Sequence, residues 1–277
     1  MSQFLGITRC RGKEFRWGER TYVMGIINVT PDSFSGDGLG TDVDTALSQA
    51  KRFQQEGADI IDVGGESTRP GARTVSANEE LRRVIPVLER LAAEITLPIS
   101  IDTYKSEVAR RAVEAGATML NDVWGLKNDP KLADISAEKG IPLILMHNQE
   151  GTTYQALVPE VIASLKQSLK LALDRGVVWE NLIIDPGIGF GKTLEHNLEI
   201  LRHLEEFKTL GRPILLGTSR KSVIGRVLDL PPQERIEGTA ATVAIGIAKG
   251  ADIVRVHDVT QMIRVCRMSD AIIRGKS

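Results

Sequence analysis

Asp42-Val43-Asp44-Thr45-Ala46-Leu47-Ser48-Gln49-Ala50-Lys51-Arg52-Phe53-Gln54-Gln55-Glu56-Gly57-Ala58-Asp59-Ile60-Ile61-Asp62-Val63-Gly64 is one stretch written in two patterns. Its first part is amphipathic and reads as a helix over Asp42–Glu56. Thr41 precedes it as an N-cap, and Gly57 follows where helices end in a left-handed residue. Its second part, Asp59–Gly64, is a nearly unbroken apolar run, as expected of a parallel strand buried on both faces. The same stop-and-restart returns at Gly116-Ala117-Thr118 and Gly250-Ala251-Asp252.

Working outward, the strand-like runs are Tyr22–Asn28, Asp59–Gly64, Ile99–Thr103, Thr118–Val123, Leu143–His147, Leu182–Asp185, Ile214–Thr218 and Ile253–His257. Helix-like segments lie between them: Ala77–Glu94, Ser106–Ala115, Asp129–Lys139, Pro159–Arg175, Glu195–Phe207 and Gln261–Arg274, with a longer stretch after the seventh strand that divides at Asp229–Pro232. Eight such βα units, at about 35 residues each, fit an α/β fold of the (β/α)8 TIM-barrel kind. A doubly wound open sheet is the alternative, but it normally has fewer strands and a glycine-rich first turn. No linker interrupts the alternation, so a single domain over 1–277 is expected. Residues 4–20 read as a short N-terminal hairpin or plug at the barrel bottom.

The 277 residues are 42% hydrophobic and 26% charged, an ordinary globular composition that excludes disorder as the dominant state. Lys+Arg number 35 against 36 Asp+Glu, which argues against a nucleic-acid or membrane-surface protein built on bulk charge. Cys10 and Cys266 are too few for a disulfide framework or a cysteine zinc site. Two reduced thiols, no secretory-type N-terminus and no apolar run of membrane length point to a cytoplasmic protein.

In a barrel of this kind the active site forms at the C-terminal strand ends. The runs here end in Asn28, Glu66 with Thr68 and Arg69, Asp102, Asn121, His147, Asp185, Ser219 with Lys221, and Arg255 with His257. Buried carboxylates and amides cost several kcal/mol unless paired, so a ring of them argues for a polar pocket. Its acids suit a donor-rich heterocycle and its cations suit an anion such as pyrophosphate, at opposite ends of one cavity. A lone strand-end aspartate is as readily a helix cap, and a lone Asn28 is more readily a turn residue; the full ring outweighs both. His147 reads as a satisfied core histidine. Gly187-Ile188-Gly189-Phe190-Gly191-Lys192-Thr193 is not a phosphate loop, because Pro186 stands where its first glycine belongs.

Five stretches resemble, in order, the signatures of the dihydropteroate synthase family. They are Met24-Gly25-Ile26-Ile27-Asn28-Val29-Thr30-Pro31-Asp32-Ser33-Phe34-Ser35, Asp62-Val63-Gly64-Gly65-Glu66-Ser67-Thr68-Arg69-Pro70-Gly71, Asp185-Pro186-Gly187-Ile188-Gly189-Phe190-Gly191-Lys192, Ser219-Arg220-Lys221-Ser222 and Arg255-Val256-His257-Asp258. The resemblance implies condensation of 6-hydroxymethyl-7,8-dihydropterin diphosphate with p-aminobenzoate, releasing pyrophosphate, in a magnesium-assisted, usually homodimeric TIM barrel that sulfonamides target. It implies that Asp102, Asn121, Asp185, Lys221 and Arg255 hold the pterin. It places Asn28, Thr68, Arg69, Arg255 and His257 on the diphosphate, with Asn28 as the magnesium ligand. It places Phe34, Thr68, Arg69, Lys221 and Ser222 at p-aminobenzoate. Asp102, Asp185, Lys221, Arg255 and His257 then carry the catalysis. A corrinoid-linked pterin methyltransferase would share the barrel and the acidic grip but would not need Arg255, His257 or the Ser67–Arg69 loop. A non-catalytic binding barrel would not need Asn28 and Arg69. Gly36, Gly38, Gly40 and Gly71 lead us to expect mobile loops one and two without ligand.

Overall fold

The structure is a computed structural model that describes residues 5–29, 43–66 and 74–275. Among the described residues ten strands are seen: β1 (Ile7–Cys10), β2 (Lys13–Arg16), β3 (Tyr22–Asn28), β4 (Ile60–Gly64), β5 (Ile99–Asp102), β6 (Met119–Asp122), β7 (Leu143–Met146), β8 (Leu182–Asp185), β9 (Leu215–Leu216) and β10 (Ile253–Val256). Strands β3 to β10 are parallel and run in the order β8-β7-β6-β5-β4-β3-β10-β9. A parallel bridge between Ile184 and Ile214 joins the two ends of that list, so the sheet closes on itself. Each helix follows its strand: α1 (Val43–Glu56), α2 (Ala77–Glu94), α3 (Ser106–Glu114), α4 (Lys131–Lys139), α5 (Leu157–Asp174), α6 (Leu194–Arg202), α7 (Ser222–Leu228), α8 (Ile236–Ala248) and α9 (Val259–Arg274). This is the (β/α)8 barrel expected from the alternation.

Local chemistry explains most boundaries. Ser76 caps α2 by accepting a hydrogen bond from Glu79 N, and Gly57 takes the left-handed conformation after α1. The expected helix Asp129–Lys139 starts instead at Lys131, because Pro130 takes the cap position and Asp129 turns its carboxylate back onto Lys131 N. The expected helix Glu195–Phe207 ends at Arg202; beyond His203 the chain tightens into a 3-10 turn over Leu204–Leu210. The expected strand Ile214–Thr218 keeps only Leu215–Leu216, since the chain beyond Gly217 turns towards Ser219. Thr41, expected to cap the first helix, lies outside the described residues.

Two apolar layers hold the fold. The outward strand residues, among them Ile27, Ile61, Val63, Ile101, Leu120, Leu145, Ile184, Leu216 and Val254, pack against the helices. The inward residues Tyr22, Met24, Ile60, Met119, Ile144, Ile183, Leu215 and Ile253 fill the lower barrel. Below them β1 and β2 pair as an antiparallel hairpin that plugs the bottom, as expected. Phe15 stacks on Trp17 at 5.6 Å, and both meet Tyr22 edge-on at 5.0 and 5.4 Å. Trp17 Nε1 donates to Thr8 Oγ1 at 2.9 Å, so its one polar atom is satisfied.

Phe15 is 1% exposed, so truncating it opens a cavity at the barrel floor. We expect Phe15→Ala to lose about 3–5 kcal/mol in urea unfolding while ligand affinity at the opposite end stays within twofold. A loss under 1 kcal/mol would show that the hairpin is not part of the core.

Candidate active site

The site arises from the two-residue period of the strands. Inward positions are apolar low in the barrel and become polar one step further along the chain. In β4 the order is Ile60 then Asp62, in β6 Met119 then Asn121, in β8 Ile183 then Asp185, and in β10 Ile253 then Arg255. The register sets Asn28 beside Gly64, Gly64 beside Asp102 and Asp102 beside Asn121, so these four form one row. Met146 pairs with Asp185 on the far side and supplies an apolar wall. Gly64 and Gly217 leave space in the row. A Cβ on Gly217 would stand 3.8 Å from Lys221 Nζ and 4.0 Å from both Arg255 Cβ and Asp185 Oδ2. Asp185 and Arg255 therefore open onto one cavity. A Cβ on Gly64 would stand 3.8 Å from both Asn28 Oδ1 and Asp102 Oδ2.

Electrostatics fix the floor. Arg255 Nε donates to Asp62 Oδ2 at 2.6 Å and its Nη2 donates to Asp102 Oδ2 at 2.7 Å. Asn121 Nδ2 donates to the same Asp62 oxygen at 3.2 Å. Asp62 is fully buried within β4 and does not close an apolar run, so it is not among the polar strand-end residues expected from sequence. Its signal was parity: Asp62 shares a face with Ile60 and Gly64. The two charge signs are accordingly interleaved here, where sequence reading had set them at opposite ends.

Burial pushes the Asp102 carboxyl well above the usual carboxylate range; Arg255 opposes this, but it is shared with Asp62, whose charge adds to the rise. Burial likewise raises Asp185, against the pull of Lys221 and of Gly187 N, which donates to Asp185 Oδ1 at 2.7 Å. Burial lowers Lys221 to about 8, with Asp185 holding part of its charge in place. Burial also opposes the Arg255 charge, yet Asp62 and Asp102 outweigh it and hold the guanidinium above its ordinary value. Asp62 Oδ1 and Asp102 Oδ1 are buried with no hydrogen-bond partner among the described residues. Three carboxylates and two cations thus leave the floor net acidic and short of donors.

The rim is shaped by β9 and β10. Arg220 adopts a left-handed backbone (φ 55), a conformation that costs a non-glycine residue energy and recurs at functional sites. Its guanidinium grips Asp258, Thr239 Oγ1 accepts from its N–H at 3.1 Å, and Arg235 Nη1 donates to its carbonyl at 2.9 Å. The kink sends Lys221 inward, where its ammonium donates to Ile188 O and lies 4.7 Å from the centre of the Phe190 ring. Ser222 opens α7 at the exposed rim. His257 sits half-buried beside Arg255, its Nδ1 3.0 Å from Ser219 Oγ.

Of the residues expected from sequence, Asn28, Asp102, Asn121, Asp185, Lys221, Ser222, Arg255 and His257 converge on this end of the barrel. Phe34, Thr68 and Arg69, with the glycines of loops one and two, lie outside the described residues. His147 is buried off the inward face, as its reading as a core histidine anticipated. Met146, Phe190 and Asp62 join the site from the structure alone. A separate cleft of 490 Å³ lies among the loops after β5 and β6, lined by Tyr104, Lys105, Asn128 and Asp129 among others. It receives none of the inward strand residues, so the chemistry belongs to the barrel mouth.

Known proteins share this fold and much of this sequence. Residues 24–257 match the family described as pterin binding enzyme. The dihydropteroate synthase of Bacillus subtilis (strain 168) is 56% identical over 255 residues, which is 92% of this chain and 90% of that protein. The dihydropteroate synthase of Clostridium difficile, solved in the presence of pteroic acid, superposes with a TM-score of 0.92 at 53% identity, covering 94% of this chain and 99% of that one. The Xanthomonas albilineans enzyme, solved with 4-aminobenzoic acid, gives 0.91 at 43% identity, covering 96% and 97%. With the match spanning every strand of the barrel from β3 to β10, the chain belongs to the dihydropteroate synthases of the pterin-binding enzyme family.

Proposed function

We infer that this chain condenses 6-hydroxymethyl-7,8-dihydropterin diphosphate with p-aminobenzoate to 7,8-dihydropteroate and pyrophosphate. The observation that carries the reading is a floor of buried carboxylates interleaved with Arg255 and Lys221 in one mouth, two of whose carboxylate oxygens lack a donor among the described residues, in a chain that belongs to this family. In the reaction the amine lone pair of p-aminobenzoate forms a bond to the pterin methylene carbon. The bond from that carbon to the diphosphate oxygen breaks, pyrophosphate leaves with the electron pair, and the amine loses a proton. Positive charge gathers on the pterin side and negative charge on the leaving group, so preorganised charges do most of the work.

The roles of the residues are our proposal. Asp185 takes the 2-amino and N3–H edge of the ring as a carboxylate fork. Asp102 and Asn121 complete the ring's hydrogen bonds, and Asp102 stabilises positive charge developing on it. Asp62 orients Arg255 from below. Lys221 donates to the ring carbonyl and nitrogen, and Met146 and Phe190 offer apolar surface. Arg255, 18% exposed at the side chain, and His257 meet the diphosphate above. Thr68, Arg69, Phe34 and Ser222 are assigned to p-aminobenzoate and the leaving group by family likeness. The arylamine is neutral at pH 7, so no strong general base is assigned.

Magnesium is proposed as the cofactor. Among the described residues no group of three or more His, Cys, Asp or Glu could cage a metal ion. Asn28 ends β3 in the mouth row, its Oδ1 3.8 Å from where a Cβ on Gly64 would stand. That donor set fits a magnesium ion that keeps several waters and binds substrate phosphate oxygens. Asn28 would hold it, and bound magnesium would neutralise charge on the leaving pyrophosphate.

We also propose a homodimer through the α8–α9 side, where Ile245, Met268 and Ile272 are 52%, 62% and 70% exposed; isolated apolar residues are common on surfaces, but these gather on adjacent helices. Sedimentation of a monomer at micromolar concentration would remove this proposal. A cytoplasmic location is proposed from the two free, buried cysteines. No described helix is long and apolar enough to cross a membrane. We treat the chain as a single pterin-binding domain.

The direct test incubates the protein with both substrates and Mg²⁺; a folded protein that forms no dihydropteroate refutes the assignment. Asp185→Asn and Lys221→Ala should weaken pterin diphosphate binding by roughly 10- to 100-fold, the loss expected for hydrogen bonds to charged groups. Ser222→Ala should mainly raise KM for p-aminobenzoate. Equal losses of both affinities in every variant would contradict this division.

The pH profile follows from burial. Ionised Asp102 appears only above its raised pKa, and Lys221 loses its proton as pH rises through about 8. The kcat/KM for pterin diphosphate should therefore rise into the neutral range and fall on the alkaline side near pH 8. A profile flat from pH 5 to 10 would show that neither charge matters to the free enzyme.

A further inference from the structure

Lys192 ends the run Asp185-Pro186-Gly187-Ile188-Gly189-Phe190-Gly191-Lys192 and has no part in the reaction as described above. It is only 9% exposed. Taking an ammonium out of water is costly unless it is fully hydrogen-bonded, so such a residue needs a reason. Its Nζ lies 3.0 Å from Gly187 O, 3.0 Å from Phe190 O and 2.9 Å from His147 Nδ1. An ammonium has three N–H donors, and here each finds an acceptor. His147 is held neutral, since burial and then Lys192 lower it to about 2. Its Nδ1 thus accepts and its ring proton stays on Nε2.

The three acceptors tie two segments together. Gly187 and Phe190 belong to the loop after β8, and His147 follows β7. That loop is also anchored by Asn197, whose Oδ1 accepts from Gly189 N at 2.6 Å, and by Tyr154, whose hydroxyl donates to Gly191 O at 2.8 Å; Lys192 adds the tie from its carbonyls to the segment after β7. Gly187, Gly189 and Gly191 all have positive φ (74, 85 and 56). A Cβ on Gly187 would fall 1.9 Å from His147 O, so the loop backbone presses directly on the β7 segment with no side chain between.

The opposite edge of the loop faces the site. Gly187 N donates to Asp185 Oδ1, Ile188 O accepts from Lys221 Nζ, and the Phe190 ring lies beneath that ammonium. One lysine therefore holds the loop from outside while the two pterin-binding side chains are held from inside. Around Lys192 stand Asp185, which supports its charge, and Lys221 and Lys127, which oppose it, beside neutral His147; burial is the largest influence and brings it to about 7.

We infer that Lys192 is a positioning residue for the pterin site, stapling the Gly187–Gly191 loop to β7 so that Asp185 and Lys221 are correctly placed for the ring. This rests on the proposed function, and the test separates the two.

Wild type, Lys192→Met and Lys192→Gln are compared by calorimetric titration with pterin diphosphate and by KM for p-aminobenzoate. Wild type that does not bind pterin diphosphate defeats the functional reading itself. Given wild-type binding, Lys192→Met should weaken pterin diphosphate at least tenfold and leave KM for p-aminobenzoate within twofold. Lys192→Gln, which keeps two N–H donors, should recover at least threefold of that loss. A folded Lys192→Met with wild-type pterin affinity overturns the inference. So does a loss shared equally by both substrates, which is what simple destabilisation would give. Should Lys192→Met not fold, Lys192→Gln against wild type carries the same comparison, with at least a threefold selective pterin loss supporting the role and no selective loss overturning it.

Discussion

A guanidinium wedged between two buried carboxylates is the constraint on which the rest of this barrel depends. Desolvating three charges costs several kcal/mol per ion, and only close, well-aligned hydrogen bonds offset it. Arg255 meets Asp62 and Asp102 at 2.6 and 2.7 Å, so the triad is stable only if β4, β5 and β10 keep their register. Register in turn depends on apolar layers below, where Ile60 and Ile253 stand two residues before Asp62 and Arg255 on the same faces. The apolar lower barrel is thus the support for a polar upper layer that could not form alone.

That layer explains how a fold made for packing does chemistry. Six of the barrel strands contribute an inward polar residue near the mouth, Asn28, Asp62, Asp102, Asn121, Asp185 and Arg255, while β7 contributes Met146, and neighbouring strands keep those residues within reach of one ligand. Gly64 and Gly217 are as important as the charges, because they keep the row from closing over the floor. The loops after β8 and β9 then lean on each other through Lys221 and Ile188, coupling the acid that reads the ring to the cation beside it.

Much of this was legible in the residues. The helix Ala77–Glu94 was read to its last residue because its amphipathic pattern marks it plainly. Strand ends such as Asn28, Asp102 and Asp185 announced themselves as polar residues closing apolar runs. Asp62 did not, since a run read only as buried conceals which face each residue takes; two-residue parity would have shown it. Lys192 was passed over with the phosphate-loop pattern that Pro186 breaks, and only the fold reveals that its ammonium turns back onto its own loop. The interleaving of charges was equally hidden, because Asp62 and Arg255 lie 193 positions apart in the chain.

The plug formed by β1 and β2 has a practical side. It closes the floor of the barrel, and α9 runs back to that same floor, where Arg274 Nη2 reaches Ala251 O and Asp270 accepts from Thr21. Both described ends of the chain therefore emerge opposite the mouth. A tether or a fused protein attached at either end would point the enzyme's opening towards the bulk solution, making this barrel suited to oriented immobilisation on a surface.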